Sequence, residues 1–228
     1  MTPPRAAALR WMARIPGLVL AWGLLLAGPT AVLAQAAPAA SAPDAARGAQ
    51  AWPMCGTCHG TRGEGLPSVG APALGGQTSA YIEGQLRAYR ADQRGTHVDD
   101  VQGNRMRLLA KSIPTDALVA DIAALVATLP PAASDHAVAG RATAGRKVYE
   151  RHCVSCHGPA GQGLSALNAP RIAGLGDGYL LTQLQLFKAG HRGGPGVQAM
   201  APAMAALRDE RAMRDVIAWL ATQTKRRP

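Results

Sequence analysis

Apolar side chains recur along this chain at helical spacing, in short segments separated by Gly and Pro. Ile82, Leu86 and Tyr89 follow one another at i, i+4 and i+7, and Leu180, Leu184 and Phe187 repeat that spacing, which puts each trio on one face of a helix. Leu118, Ile122, Leu125 and Leu129 form a further stripe, matched by Met213, Val216, Ile217 and Leu220. These last helices are predicted to begin near Thr115 and Asp209. Asp44 and Thr143 are capping residue types and open two earlier helices, which carry Gly48 with Trp52 and Gly145 with Tyr149. Gly95 and Gly190 are the predicted stops of the middle pair. No segment shows the strict alternation of a half-buried strand, so the expected fold class is all-α, built from a few short helices per domain.

The whole pattern occurs twice. Cys55-Gly56-Thr57-Cys58-His59-Gly60 aligns with Cys153-Val154-Ser155-Cys156-His157-Gly158 at an offset of 98 residues. The same offset pairs Gly63 with Gly161, Pro72 with Pro170, Tyr81 with Tyr179, and Gln85-Leu86 with Gln183-Leu184. Agreement at so many positions marks an internal duplication. Two tandem domains follow, 37–131 and 132–228, with a linker at about 130–142 that opens on Pro130-Pro131.

The first 36 residues belong to neither copy. Arg5, Arg10 and Arg14 precede an apolar or small run ending at Leu33, and Val32-Leu33-Ala34 and Ala34-Gln35-Ala36 are small-residue cleavage signals. That is the layout of a secretory signal peptide, with an uncleaved membrane anchor as the alternative. The expected location is the periplasm, with possible association with the periplasmic face of the membrane if the leader is retained. Charge is uneven: residues 37–131 hold eight basic and eight acidic side chains, residues 132–228 thirteen and six. A basic half steers toward an acidic partner. Nucleic acid is excluded as a partner class, because an exported chain without a binding motif gives it no handle. With one Phe, four Tyr and four Trp in 228 residues, each small domain is short of large core side chains, a deficit that a bulky cofactor makes good.

The four cysteines of the chain all fall in the two Cys-x-x-Cys-His motifs. Two thiols at that spacing can each form a thioether to a haem vinyl group, and the adjacent His can ligate the iron, the signature of c-type haem attachment. Cys55, Cys58 and His59 are therefore the first expected attachment site, and Cys153, Cys156 and His157 the second. A thioredoxin-like dithiol leaves the His unexplained and needs a βαβ pattern. A shared four-cysteine zinc site would have to join pairs that stand in separate, complete repeats.

Met is a common sixth ligand beside His. In the first half, Met54 adjoins Cys55 and is tied to the proximal side, which leaves Met106, with His97 as rival. In the second half, Met213 falls on an apolar stripe. Met200 and Met204 remain, with His191 and His152 as weaker rivals. Met106 and Met200 stand seven residues before Ile113 and Leu207, which precede the two final helices. A ligating His usually gives its second ring N–H to a carbonyl or carboxylate, and Pro72 and Pro170 offer candidate carbonyls.

On these motifs, together with Leu74-Gly75-Gly76-Gln77, Ile172-Ala173-Gly174 and Phe187, the mature chain resembles the dihaem cytochrome c4 family of class I cytochromes c. The resemblance implies two covalently attached haem c groups, sixth ligands at Met106 and Met200, Pro72 and Pro170 carbonyls on the proximal His, and two facing domains. It implies a periplasmic electron carrier without catalytic residues. The expected donor is a quinol-oxidising complex or a periplasmic dehydrogenase, and the acceptor a terminal oxidase or reductase. The haem subunit of flavocytochrome c sulfide dehydrogenases is similar in plan, so a dedicated subunit of such a complex is the alternative; a dihaem enzyme is a third. One departure stands out: Gln77 of copy one is Leu175 in copy two, so any hydrogen bond Gln77 makes near the domain interface is lost on one side, which breaks strict pseudo-symmetry.

Overall fold

The computed structural model describes residues 41–132 and 138–224. The leader, His136 in the middle of the linker and the last four residues lie outside the described residues. Copy one forms α1 (Ala45–His59), α2 (Ser79–Arg90), α3 (Val101–Lys111) and α4 (Asp116–Thr128). Copy two forms α5 (Ala142–His152), α6 (Val154–His157), α7 (Asp177–Ala189), α8 (Val197–Ala206) and α9 (Glu210–Thr224). The described residues contain no strand, only two isolated bridges, Leu66 with Ala71 and Leu164 with Ala169.

Local chemistry explains most helix ends. Asp44, Thr78, Asp100 and Thr115 each accept a hydrogen bond from an N–H in the first turn of the helix that follows, which satisfies a donor the helix itself leaves open. In copy two Asp209 accepts likewise from Ala212 N at the start of the last helix, but the first helix differs. It starts at Ala142 after Arg141, without a side-chain cap, so Thr143 lies inside the helix. Gly190 closes α7 in the left-handed conformation, φ 73°, as expected. Gly95 does not close α2: that helix stops at Ala91, and Asp92 takes the left-handed turn at φ 56°. Asp tolerates this conformation better than most residues, and Arg107 and Lys111 hold its carboxylate at 2.6 Å each.

Met106 is a helical residue of α3. The α3 sequence is rich in Arg, Asn and Gly, so no apolar stripe announces it; the buried Asp100 cap starts it instead. Met200 lies likewise in α8, a helix obscured by Pro202.

In each copy the first helix packs across the last at a glycine. A Cβ on Gly48 would run into the Asp121 carbonyl oxygen, and one on Gly145 into that of Asp215. The same two aspartates tie the helices together by their side chains. Asp121 accepts from Asp44 N at 2.7 Å and Arg47 Nε at 2.8 Å; Asp215 accepts from Arg141 N at 2.7 Å and Arg141 Nη2 at 2.9 Å. The Arg47 guanidinium holds the Asp121 carboxyl below its ordinary range. Burial pushes Asp215 up, but the Arg141 N–H and guanidinium outweigh it, so that this group too is lowered.

The cores follow the stripes. Ile82, Leu86, Tyr89, Ile122 and Val126 are buried in copy one. Tyr149, Met213, Val216, Ile217 and Leu220 are buried in copy two, where Tyr149 packs against Trp219 with ring centres 4.1 Å apart and planes tilted by 35°. Leu118, Leu125 and Leu129 flank their core rather than fill it, and Val119, Ala123 and Val126 of α4 take the inner positions.

The two copies meet through a reciprocal pair of arginine–glutamine contacts. Arg94 donates to Gln85 in its own copy and to Gln183 across the seam at 3.2 Å. Arg192 donates to Gln183 in its own copy and reaches Gln85 at 3.4 Å. Each guanidinium lies over a ring of its own domain, Arg94 over Tyr89 at 4.5 Å and Arg192 over Phe187 at 4.6 Å. Elsewhere along the seam, the Gln77 amide donates to Arg171 O at 2.7 Å and accepts from Arg171 N at 3.1 Å.

Candidate functional site

The last turns of α1 carry Cys55, Cys58 and His59, and positions three and four apart on a helix are neighbours. Both thiols and the imidazole therefore project from one stretch of surface. The chain then turns sharply: Gly65 N donates to His59 O at 2.7 Å, and Leu66 bridges to Ala71. Gly65 is required there, because its φ is 84° and a Cβ would press on Ala73 N. This loop delivers Pro72 O to His59 Nδ1 at 2.9 Å. Burial lowers the pKa of His59, and the carbonyl only partly opposes it. The imidazole is thus neutral, its Nδ1–H donates to Pro72 O, and the Nε2 lone pair is free to ligate.

Beside this ring lies a cavity that encloses, with its open mouth, about 1180 Å³. Cys55, Cys58, His59, Pro72 and Met106 all line it, with Ile82, Leu86, Ile122 and Val126 supplying apolar wall. Leu175, Tyr179 and Gln183 of copy two line it as well, so the cavity reaches the seam between the copies. His97 is not among the lining residues. It lies in the loop between α2 and α3, stacked on His191 at 3.5 Å between ring centres.

Copy two repeats the donor set. Cys153 caps α5, Cys156 and His157 lie in α6, and His157 Nδ1 meets Pro170 O at 2.9 Å. Burial lowers this pKa too, against the opposing carbonyl, so His157 is likewise a neutral imidazole with its Nε2 lone pair free to ligate. Met200 is half-buried against the core, as Met106 is in copy one. Met204 is buried within the core itself, and Met213 is core as its stripe suggests. His152 lies exposed near the end of α5, and Met54 is exposed on α1 beside Cys55.

The side chains fit haem in a further way. Arg94 lines the cavity, is 3% exposed, and its Nε has no hydrogen-bond partner; Arg192 is 6% exposed with the same orphaned Nε. A buried guanidinium with a spare donor calls for an anion, and a haem carries two carboxylates. Neither arginine is singled out by sequence motifs, yet the two stand at the 98-residue offset of the repeat, which is the signal that would have found them.

Two small helical domains, each presenting a thiol pair, a neutral imidazole and a thioether around an apolar cavity or core, define a tandem c-type cytochrome. The profile described as Cytochrome c matches residues 45–130 and 142–224. The chain is 33% identical over 60% of its length to a thiosulfate dehydrogenase electron acceptor of Stutzerimonas stutzeri, of which it spans 64%, just under two thirds. It is 30% identical to cytochrome c4 of Pseudomonas aeruginosa, over 67% of this chain and 75% of that one. Among solved structures, thiosulfate dehydrogenase (TsdBA) from Marichromatium purpuratum superposes with a TM-score of 0.65 at 31% identity, covering 78% of this chain and 40% of that one. The chain belongs to the cytochrome c family and, within it, to the dihaem cytochrome c4 group. As a member of that group it holds two covalently bound haem c groups.

Proposed function

We propose that Cys55 and Cys58 hold the first haem and Cys153 and Cys156 the second. His59 with Met106, and His157 with Met200, ligate the two irons. The observation that carries this reading is the copy-one cavity, which gathers Cys55, Cys58, His59 and Met106 in one apolar enclosure. When bound, each haem supplies reversible one-electron transfer. The Pro72 and Pro170 carbonyls fix the tautomer and orientation of the two imidazoles. The apolar walls exclude water, and Arg94 and Arg192 place positive charge where haem carboxylates need it. His59 with Met106, and His157 with Met200, would hold the two irons and leave no open site for substrate, so the chain acts as a carrier rather than as an enzyme.

The carrier works in the periplasm, exported by its leader; among the described residues no helix is long and apolar enough to cross a membrane. Its donor is a periplasmic dehydrogenase, and the names of the relatives favour a thiosulfate-oxidising one. Its acceptor is a terminal oxidase or reductase. The basic second half docks an acidic partner face. To test this, the haem-loaded protein is mixed with thiosulfate and a catalytic amount of thiosulfate dehydrogenase, and haem reduction is followed by stopped flow. Both haems should be reduced, more slowly as salt is raised. An active dehydrogenase that leaves them oxidised rejects this donor.

A further inference from the structure

Two histidines considered as iron ligands meet each other instead. His97 comes from the α2–α3 loop of copy one, and His191 follows the Gly190 cap of α7 in copy two. Their rings stack with centres 3.5 Å apart and planes 14° apart. Asp99 brings a carboxylate to both: Oδ2 lies 2.9 Å from His191 Nδ1 and 3.6 Å from His97 Nδ1. The repeat does not impose this cluster, because the positions matching His97 and His191 at the 98-residue offset are Pro195 and Gln93. Burial does not force it either, with the two imidazoles 39% and 31% exposed.

We propose that His97, Asp99 and His191 form a binding site for a divalent transition-metal ion, zinc being its chemical type, bridging the two cytochrome domains. One ligand atom from each residue lies within 4.8 Å of the other two. Ligands at tetrahedral corners, about 2.0–2.1 Å from zinc, stand about 3.3 Å apart, and the two measured Asp99 separations bracket that value. The two rings must turn out of their near-parallel stack for both in-plane lone pairs to converge on one ion. The donor types also match: two imidazole nitrogens and one carboxylate oxygen suit zinc, whereas calcium and magnesium prefer all-oxygen shells. His97 Nδ1 already presents a lone pair on this side, since it accepts the Asp99 N–H at 3.2 Å. The proton that His191 Nδ1 shares with Asp99 moves to Nε2 when the ion binds, and solvent takes the fourth position. Bound zinc ties the α2–α3 loop to the end of α7, next to the Arg94–Arg192 seam.

The test is zinc titration of the untagged, haem-loaded protein by calorimetry and equilibrium dialysis. Zinc is redox-inert, so the haem irons keep their oxidation state. The wild-type protein should take up one ion per chain. His97→Asn and His191→Asn should each weaken binding by at least the roughly tenfold that loss of a supporting partner alone costs, while His152→Asn leaves it unchanged. Zinc should also raise the thermal midpoint of the wild-type protein, and not of the two site variants, because a ligand that binds only the folded chain stabilises it. The absorbance of the bound haems checks that each variant is folded. Absence of saturable binding in the wild type overturns the proposal. So does unchanged binding in both site variants, which would assign the zinc to other groups.

Discussion

Replacing Gln77 with Leu gives copy one the residue that copy two already has at Leu175. The Gln77 side chain is 4% exposed, and its amide spans the seam with one donated and one accepted bond to the Arg171 main chain, at 2.7 and 3.1 Å. Leu is close to Gln in volume, so the change removes hydrogen bonding with little loss of packing. A buried polar group that loses its partner costs about 1–3 kcal/mol, and two main-chain groups of Arg171 lose the same amide. The expected destabilisation is about 2–4 kcal/mol, allowing for partial rescue by water. For a chain of this size each kcal/mol moves the midpoint by about 2–4 °C, so Gln77→Leu should melt some 4–16 °C below wild type. Circular dichroism melts of the haem-loaded protein measure it. A midpoint within error of wild type would refute the claim that this amide stitches the copies together.

Other substitutions test the helix crossings and the ligands. Gly145→Ala should destabilise by about 1–3 kcal/mol, because its Cβ must push α5 away from the Asp215 carbonyl. Gly84→Ala, in α2 with open space around it, should stabilise by about 0.5–1 kcal/mol; urea titrations that gave both the same sign would sink the argument. Met200→Ala should weaken the red absorbance band that reports methionine sulfur on ferric iron, and Met204→Ala should spare it; the reverse outcome reassigns the ligand. Asp121 and Asp215 have carboxyls held below their ordinary pKa. Their contribution to stability is therefore complete above about pH 4 and lost as pH falls through the lowered values. Asp215→Asn should flatten the acid limb of a stability–pH profile, and an unchanged slope below about pH 4 contradicts that.

The helices that carry stripes and the attachment motifs are legible in the chain because both are local. Ile82, Leu86 and Tyr89 declare a buried face by spacing alone, and Cys55, Cys58 and His59 declare their chemistry by adjacency. The Pro72 and Pro170 carbonyls were reachable too, since a ligating imidazole needs an acceptor for its second N–H. Helix α3 was not legible: its polar sequence hides it, and what starts it is the buried Asp100 cap. The Arg94–Gln183 and Arg192–Gln85 contacts were hidden for another reason. They join residues from different domains, and only the assembled seam shows that two guanidiniums share one buried pocket of amides. His97 and His191 illustrate the same limit, since each alone resembles a spare ligand and only together do they form a cluster.

The paired arginines also bear on how such a chain diverges. Arg94 reaches Gln183 while Arg192 reaches Gln85, the reciprocal exchange of an isologous dimer contact. Two free copies held by that contact alone would have to stay identical, and would separate on dilution. Joined in one polypeptide, they meet at an effective concentration set by the tether, in the millimolar range for short flexible linkers. The contact then need not be strong, and each half is free to drift. Gln77 facing Arg171 on one side, with Leu175 on the other, is such drift, and it gives the two redox centres different surroundings.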